Sequence, residues 1–538
     1  MRSQSARCLF ILSAFLFTIV AISIVGGRAF NGANSRSPQA QAHAPAQFSS
    51  NKFAGGQRRL GGVKAVSPAD PNPFRSAFSF NTASGFNYAS LFAPNVTAVK
   101  SATLQTDVNG NGFVNPGDTL MYSVLVSNTG MDAMNVIFSD QLDANLTLSG
   151  TATASPIVVN ESYDTIGNTQ LQVAGTQTIA SPGVFVNGSV LSNDIDPQGG
   201  TLTVTAITNG PTTAGGTVTL NTDGTFIYTP QVGDVNVADT FTYTVNEPDG
   251  KTGTGTVTIN VANARVWYVR NNATSGGLGR SGDPFDTLAE AQTASAANDT
   301  IYVFFGNGTT SNQSLGIALK SGQRLIGEGV ALTVPVSVNG GPNPTVLRAA
   351  GSQPLLDHTT AGGSAVSATD LIPAEIAGLN LAGSTNAIDW TTTAAFAGSG
   401  TLVIHDNTVR AAGSEGVDIN LAGTGATGLA FSDNNLTATG TGLDIQETGT
   451  GSLTIIAFDD NVVNGNTGGS GIVIANAVFD SVPGGGLNTV LGGTTVIGAS
   501  GNGVGAAGLV LSNVQGDLHF ANLNVFADGG AGISTSGT

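Results

Sequence analysis

The chain has 538 residues, room for roughly three or four domains. Only 10% are charged while 40% are hydrophobic, which excludes charge-driven disorder for most of its length. Nine of the 18 basic residues lie between Arg2 and Arg75 with Asp70 as the only acid there, so the remaining nine face 34 acidic residues, a surface that repels nucleic acid and favours divalent cations.

Gly, Asn, Thr, Ser and Ala replace the missing charge, which predicts short strands, turns and stacked repeats. Arg2 and Arg7 precede an apolar run from Leu9 to Val25, followed by Gly26, Gly27 and Ala29. That order reads as a signal peptide over residues 1–29, with cleavage expected after Ala29. Left uncleaved, the run would be the one contact with a membrane. The single cysteine, Cys8, falls inside this segment, so no disulfide framework is expected beyond it. Residues 30–91 lack apolar periodicity and read as a disordered linker.

In residues 92–154, Asp107-Val-Asn-Gly-Asn-Gly-Phe-Val-Asn-Pro-Gly-Asp118 spaces oxygen side chains as a calcium loop does. Asp107, Asn109, Asn111 and Asp118 would be ligands, with the carbonyl of Phe113, and Gly112 would make the turn. The other reading is a metal-free Asn/Gly/Asp turn, because Leu120, Tyr122, Val124 and Val126 alternate as a strand immediately afterwards. Asp107 through Asp118-Thr-Leu to Ser127-Asn-Thr-Gly130 resembles the bacterial conserved repeat domain called domain of unknown function eleven, which implies an immunoglobulin-like sandwich.

Residues 155–262 alternate β-rich runs with turns, as in Gly224-Thr-Phe-Ile-Tyr-Thr-Pro230 and Asp239-Thr-Phe-Thr-Tyr-Thr-Val245. Such even spacing is a sandwich signature. Pro156-Ile-Val-Val-Asn-Glu-Ser-Tyr163, Val190-Leu-Ser-Asn-Asp-Ile-Asp-Pro-Gln-Gly199 and Asn221-Thr-Asp-Gly-Thr-Phe-Ile-Tyr-Thr-Pro230 resemble the bacterial cadherin-like repeats of large adhesins. The resemblance implies calcium at Asp194 and Asp196, with Glu161 and Asp249 as weaker partners. Gln198 and Gly200 stand where that family often has a further acid.

Residues 263–538 repeat. Leu402, Leu429 and Ile456 recur at one 27-residue spacing, and so do Ile404, Phe431 and Phe458, then Asn407, Asn434 and Asn461, then Val409, Leu436 and Val463. Apolar, Asn and apolar columns in a fixed order predict a parallel β-helix whose asparagines bond along the axis. Val266-Trp-Tyr-Val-Arg-Asn-Asn272, Asp283-Pro-Phe-Asp-Thr-Leu-Ala-Glu-Ala291 and Asp299-Thr-Ile-Tyr-Val-Phe-Phe305 resemble the opening of right-handed β-helices of the pectin-lyase-like group, with residues 287–297 as a short helix closing the bore. Gly532-Ile-Ser-Thr-Ser-Gly-Thr538 resembles the start of another coil strand, so a longer parent chain is expected.

The expected fold class is thus all-β, two immunoglobulin-like β-sandwich domains followed by a right-handed parallel β-helix. For catalysis the best constellation is the acid column Asp389, Asp418 and Asp444, with His405 and Arg410 near it in sequence. Solvated outward acids are the simpler reading of the column. The pectate-cleaving motifs of the resembled group are absent. The sequence therefore points to a secreted cell-surface protein with an adhesive or structural role, stiffened by calcium and meeting a glycan or a surface protein. Its alternative is a polysaccharide lyase or glycoside hydrolase acting through the β-helix.

Overall fold

The computed structural model describes residues 15–23, 47–50, 76–81 and 95–537, except 129–135, 140–145, 149–151, 181, 465–467, 480–489 and 517–518. The fold is nearly all β, with 49% of residues in strands, and Leu288–Ala294 is the α-helix among the described residues.

The first region is antiparallel. Asn95–Thr106 pairs with Thr119–Asn128, and the sheet continues to Ser76–Asn81 on one side and to Phe15–Ser23 on the other. Phe15–Ser23 also pairs with Thr147–Leu148 and Ala152–Ala154. Gln47–Ser50 pairs separately with Val136–Ser139. Strands thus occur within the apolar run read as a signal and within the stretch read as a linker. The other residues of 1–94 lie outside the described residues.

The second region is a sandwich. One sheet orders Val184–Asn187, Leu171–Ala174, Phe226–Thr229, Thr217–Leu220 and Ile207–Pro211. The other joins Thr203–Val204, Val237–Asn246, Thr252–Val269 and Glu161–Gly167. Period-two alternation in Val237–Asn246 turns Phe241, Tyr243 and Val245 inward, where they meet Tyr163, Phe226 and Tyr228. Tyr163 and Phe241 each pack edge-on to Phe226 at 5.4 Å, the arrangement that aromatic quadrupoles favour.

From Val266 onward the chain winds as a coil whose strands stack in parallel on three faces. The first face runs from Val266–Val269 through Thr300–Val303, Arg324–Gly327, Glu375–Ala377, Gly400–His405, Ala426–Ser432, Ser452–Asp459 and Ala477–Phe479 to Gln515–Gly516. The second face includes Val366–Thr369, Ile388–Thr392, Val417–Leu421, Leu443–Glu447 and Ile472–Ala475, and ends at Ile533–Ser536. The third runs from Leu355–His358 to His519–Val525. This is the three-sided parallel β-helix that the repeat predicted. Its bore is dry, filled by such stacks as Leu402 with Leu429, Phe431 with Phe458, and Val409 with Leu436 and Val463.

One predicted column is displaced. Leu429 pairs with Ile455 rather than Ile456, because a β-bulge inserts one residue before Ala457. Ile455 therefore takes the inward place and Ile456 is 45% exposed. The phase recovers at Phe431 and Phe458, whose rings stack at 5.8 Å.

Candidate functional site

The loop of residues 107–118 closes on itself. The Asp107 carboxylate accepts the N–H groups of Gly110 at 2.7 Å and Gly112 at 2.6 Å, and the Gly112 bond foremost holds it below the usual carboxylate range. Asn109 Oδ1 accepts from the Asn111 N–H, and Asn111 Oδ1 from that of Phe113. The Phe113 carbonyl accepts from the Asn115 side chain. Asp118, fully buried, accepts the Val108 and Asn115 N–H groups at 2.9 and 2.7 Å. Each of the five oxygen donors already serves the loop's own backbone or side chains, and a strand follows.

The second candidate is the turn around Asp194 and Asp196. Asp194 Oδ1 accepts the Val159 N–H at 2.8 Å, and Oδ2 the Tyr243 hydroxyl at 3.4 Å. Burial, joined by Glu161, pushes its carboxyl up to about 7. Burial likewise raises Glu161, whose Oε1 is buried without a hydrogen-bond partner, as is Asn193 Oδ1. Asp196 instead ties its own turn by accepting the Gln198 and Gly200 N–H groups at 2.6 and 3.0 Å. Asp249 accepts the Lys251 N–H at 3.0 Å.

Sequence reasoning missed Glu247. It is 5% exposed, and neither of its carboxylate oxygens has a hydrogen-bond partner. Burial first, then Asp196 and Asp249, push it up to about 7. The signal was present in the alternation. Phe241, Tyr243 and Val245 all point inward, and the same parity carries Glu247 to the core.

The third candidate is the acid column. Asp389 aligns with Asp418, and Asp418 with Asp444, on three successive strands of the second face. Burial raises all three carboxyls, and Asp418, repelled also by Asp389 and Asp444, reaches about 6. Glu415 adds a fourth negative charge beside them.

His405 and Arg410 are not part of this arrangement. His405 ends a first-face strand between Glu375 at 2.9 Å and Asp406 at 2.8 Å, and Arg410 lies on the third face paired with Asp357 at 3.2 Å. A cleft of about 320 Å³ lies at another corner, lined by residues 370–374, Phe396 and residues 398–401. None of the column acids lines it. Among the described residues no three or more His, Cys, Asp or Glu side chains are grouped to hold a metal, and no helix is long and apolar enough to cross a membrane.

A sandwich of this topology, with an Asn-Asp-x-Asp-Pro turn packed on an inward glutamate, invites comparison with known domains. Residues 153–263 match the bacterial cadherin-like domain. The match therefore covers the second sandwich and ends within the strand that leaves it, and it points to a cell-surface role, adhesive or structural, in bacteria. No curated protein matches the chain.

Proposed function

We propose that the protein is a secreted bacterial surface rod in which the cadherin-like domain and the coil hold an extended surface out for adhesion or matrix contacts. The observation that carries this reading is the cadherin-like domain set directly on a parallel β-helix. The first antiparallel region serves as a further immunoglobulin-like spacer of the conserved repeat type, and a glycan or a surface protein is the partner.

Calcium belongs to this reading as a stiffening ion at the cadherin-like domain. The donor set there is all oxygen, the chemistry that a hard cation takes. Glu247 has both carboxylate oxygens buried without partners and lies beside Asp196 and Asp249, while Glu161 and Asn193 lie beside Asp194. Among the described residues no three acids are grouped around one point, so an ion would have to draw the Glu247 group together. Titration of the full chain with calcium in a calorimeter should show saturable binding that weakens as pH falls below 7, where Asp194 and Glu247 take up protons. Glu247→Gln should reduce it at least tenfold. Binding unaffected by Glu247→Gln, or no heat at all, counts against the site.

The alternative, cleavage of a polysaccharide, retains one supporting observation, the raised carboxyls of the acid column. Incubating the full chain with acidic and neutral polysaccharides, and reading polymer length, separates the two. Surface attachment should leave every polymer intact. Shortening that Asp418→Ala abolishes would replace the adhesive reading with an enzymatic one.

A further inference from the structure

The cadherin-like domain and the coil meet without a linker. Thr252–Val269 is one strand of 18 residues that serves both. Thr252–Val261 pairs antiparallel with Val237–Asn246, Val257–Arg265 pairs parallel with Glu161–Gly167, and Val266–Val269 pairs parallel with Thr300–Val303 as the first rung of the coil. A bulge between Ala262 and Arg265 is the one interruption of register along it.

Across the junction the pleat divides side chains between two cores. Trp267 and Val269 enter the bore of the coil, while Val266 and Tyr268 enter the core of the sandwich. Tyr302, Phe304 and Ile326, from the next two rungs, join that same sandwich core, as do Val334 and Leu347 of the hairpin that links coil turns. The outer face of the first rungs is thus as dry as their inner face.

Polar contacts also cross the junction, while Tyr302 Oη and Asn168 Nδ2 are buried there without partners. Asn339 and Asp164 exchange three hydrogen bonds of 2.7–2.9 Å. Thr169 Oγ1 and Tyr268 Oη meet at 2.7 Å inside the protein. Arg265 bonds the Gly233 carbonyl at 2.7 Å on the sandwich side and Asp299 at 3.0 Å on the coil side. Residues 276–286 carry Gly279 and Phe285, whose backbones bond the edge of Tyr268. Ser281 in that segment is bonded in turn to Asn168 and Gln170.

A stacked coil exposes an unpaired strand edge and an open bore at its first rung, and such arrays depend on a terminal unit that covers both. Here Leu288–Ala294 inserts Leu288 and Ala291 into the bore, residues 276–286 bond the edge of the first rung, and the sandwich holds that segment through Asn168 and Gln170 and covers the outer face of the rungs. We propose that the cadherin-like domain is the N-terminal cap of the coil. The two fold as one cooperative unit across a junction without a hinge, rather than as domains in series that move independently by default. This holds whether or not calcium binds.

Both tryptophans, Trp267 and Trp390, lie in the coil. In the full chain carrying Trp267→Phe, the emission of Trp390 therefore reports unfolding in mid-coil. Leu220 is buried in the sandwich sheet that takes no part in the shared strand. Leu220→Ala in that background should lower the urea midpoint seen by Trp390 as far as it lowers the midpoint seen by far-ultraviolet dichroism. A Trp390 midpoint left at the parent value, with a new early dichroism transition, overturns the proposal. Hydrogen exchange on the unaltered chain tests it without any risk of misfolding. Amides of Val257–Ile259 and of Ile301–Val303 should share one opening free energy across denaturant concentrations, and exchange of the first group while the second stays protected overturns it.

Discussion

The coil carries two polar columns made by the same repeat, and they are opposites. Asn407, Asn434 and Asn461 sit at the corner between the first and third faces, at most 2% exposed. Each asparagine amide reaches a carbonyl one turn back, as Asn434 Nδ2 does to Ile404 O at 2.9 Å, and each Oδ1 accepts a backbone N–H from its neighbour. Asp389, Asp418 and Asp444 are stacked with the same regularity on the second face, but a column of carboxylates has only acceptors. Their partners are single weak donors such as Ser364 at 3.4 Å and Asn386 at 3.3 Å, with Gln446 serving Asp444 alone. Stacking turns any repeated residue into a column. Whether the column supports the fold or strains it depends on whether the side chain can both donate and accept.

The largest test of this contrast is Asn434→Ala. It leaves the Asn407 N–H and the Ile404 carbonyl short of partners in the buried corner, and each unpaired buried group costs about 1–3 kcal/mol. A loss of about 3 kcal/mol in urea unfolding is expected. A loss below 1 kcal/mol would mean that water or a shifted neighbour repairs the corner and that the column is not structural.

A similar loss, about 3 kcal/mol, is expected for Ile455→Ala in the bore. Ile456→Ala, one residue along on the outer side of the bulge, should change stability by less than about 0.5 kcal/mol. Equal effects at the two positions would mean that the strand runs without its bulge and that the uniform 27-residue repeat is correct after all.

The acid column should show the opposite sign. A carboxyl raised in the fold binds its proton more tightly there than in the unfolded chain, so its contribution is fully present below about pH 4 and is lost as pH rises through about 6 for Asp418. Asp418→Asn should therefore stabilise the coil by about 1–2 kcal/mol at pH 8 and leave it nearly unchanged at pH 4. Stabilisation of the same size at both pH values would indicate packing, and destabilisation at pH 8 would indicate that the charge has a partner.

Much of this was legible in the sequence, and the gaps have physical reasons. The Asn column and its flanking apolar columns could be read because the coil repeats its corner chemistry. Asp406, Asp433 and Asp460 adopt the left-handed conformation, with φ near 50–56°, that Asp tolerates better than most residues, and the asparagine after each turns inward. The alignment of Asp389, Asp418 and Asp444 could be read for the same reason. Their separation from His405 and Arg410 could not, since one coil turn distributes neighbours in sequence over three faces. The bulge at Ile456 was invisible because two isoleucines in succession fit either phase. The shared strand Thr252–Val269 was divided at residue 262, since no composition shift marks a strand that changes partners but not direction.

The smallest effect distinguishes the outlying histidine from the column once grouped with it. His405 places Nε2 on Glu375 and Nδ1 on Asp406, so both ring nitrogens need protons to donate. The bond to Glu375 raises its pKa above the ordinary value of 6.5 against the effect of burial, and Asp406 adds to the rise. A raised histidine contributes stability that is complete below about pH 6.5 and disappears as pH climbs through the shifted value. The acid column has finished most of its titration by then, so the two occupy different windows. Between pH 6 and pH 8.5 the chain carrying Asp418→Asn should lose stability through His405 and through Asp194 and Glu247, and adding His405→Gln should make that slope shallower while leaving the pH 4–6 range alone. Arg324 holds Glu375 at 2.6 Å from its other side, so the carboxylate keeps a cation after the histidine is gone, which is why the expected loss is small. If the slope above pH 6 is the same with and without His405→Gln, the carboxyls of the cadherin-like domain, Asp194 and Glu247, account for all of it.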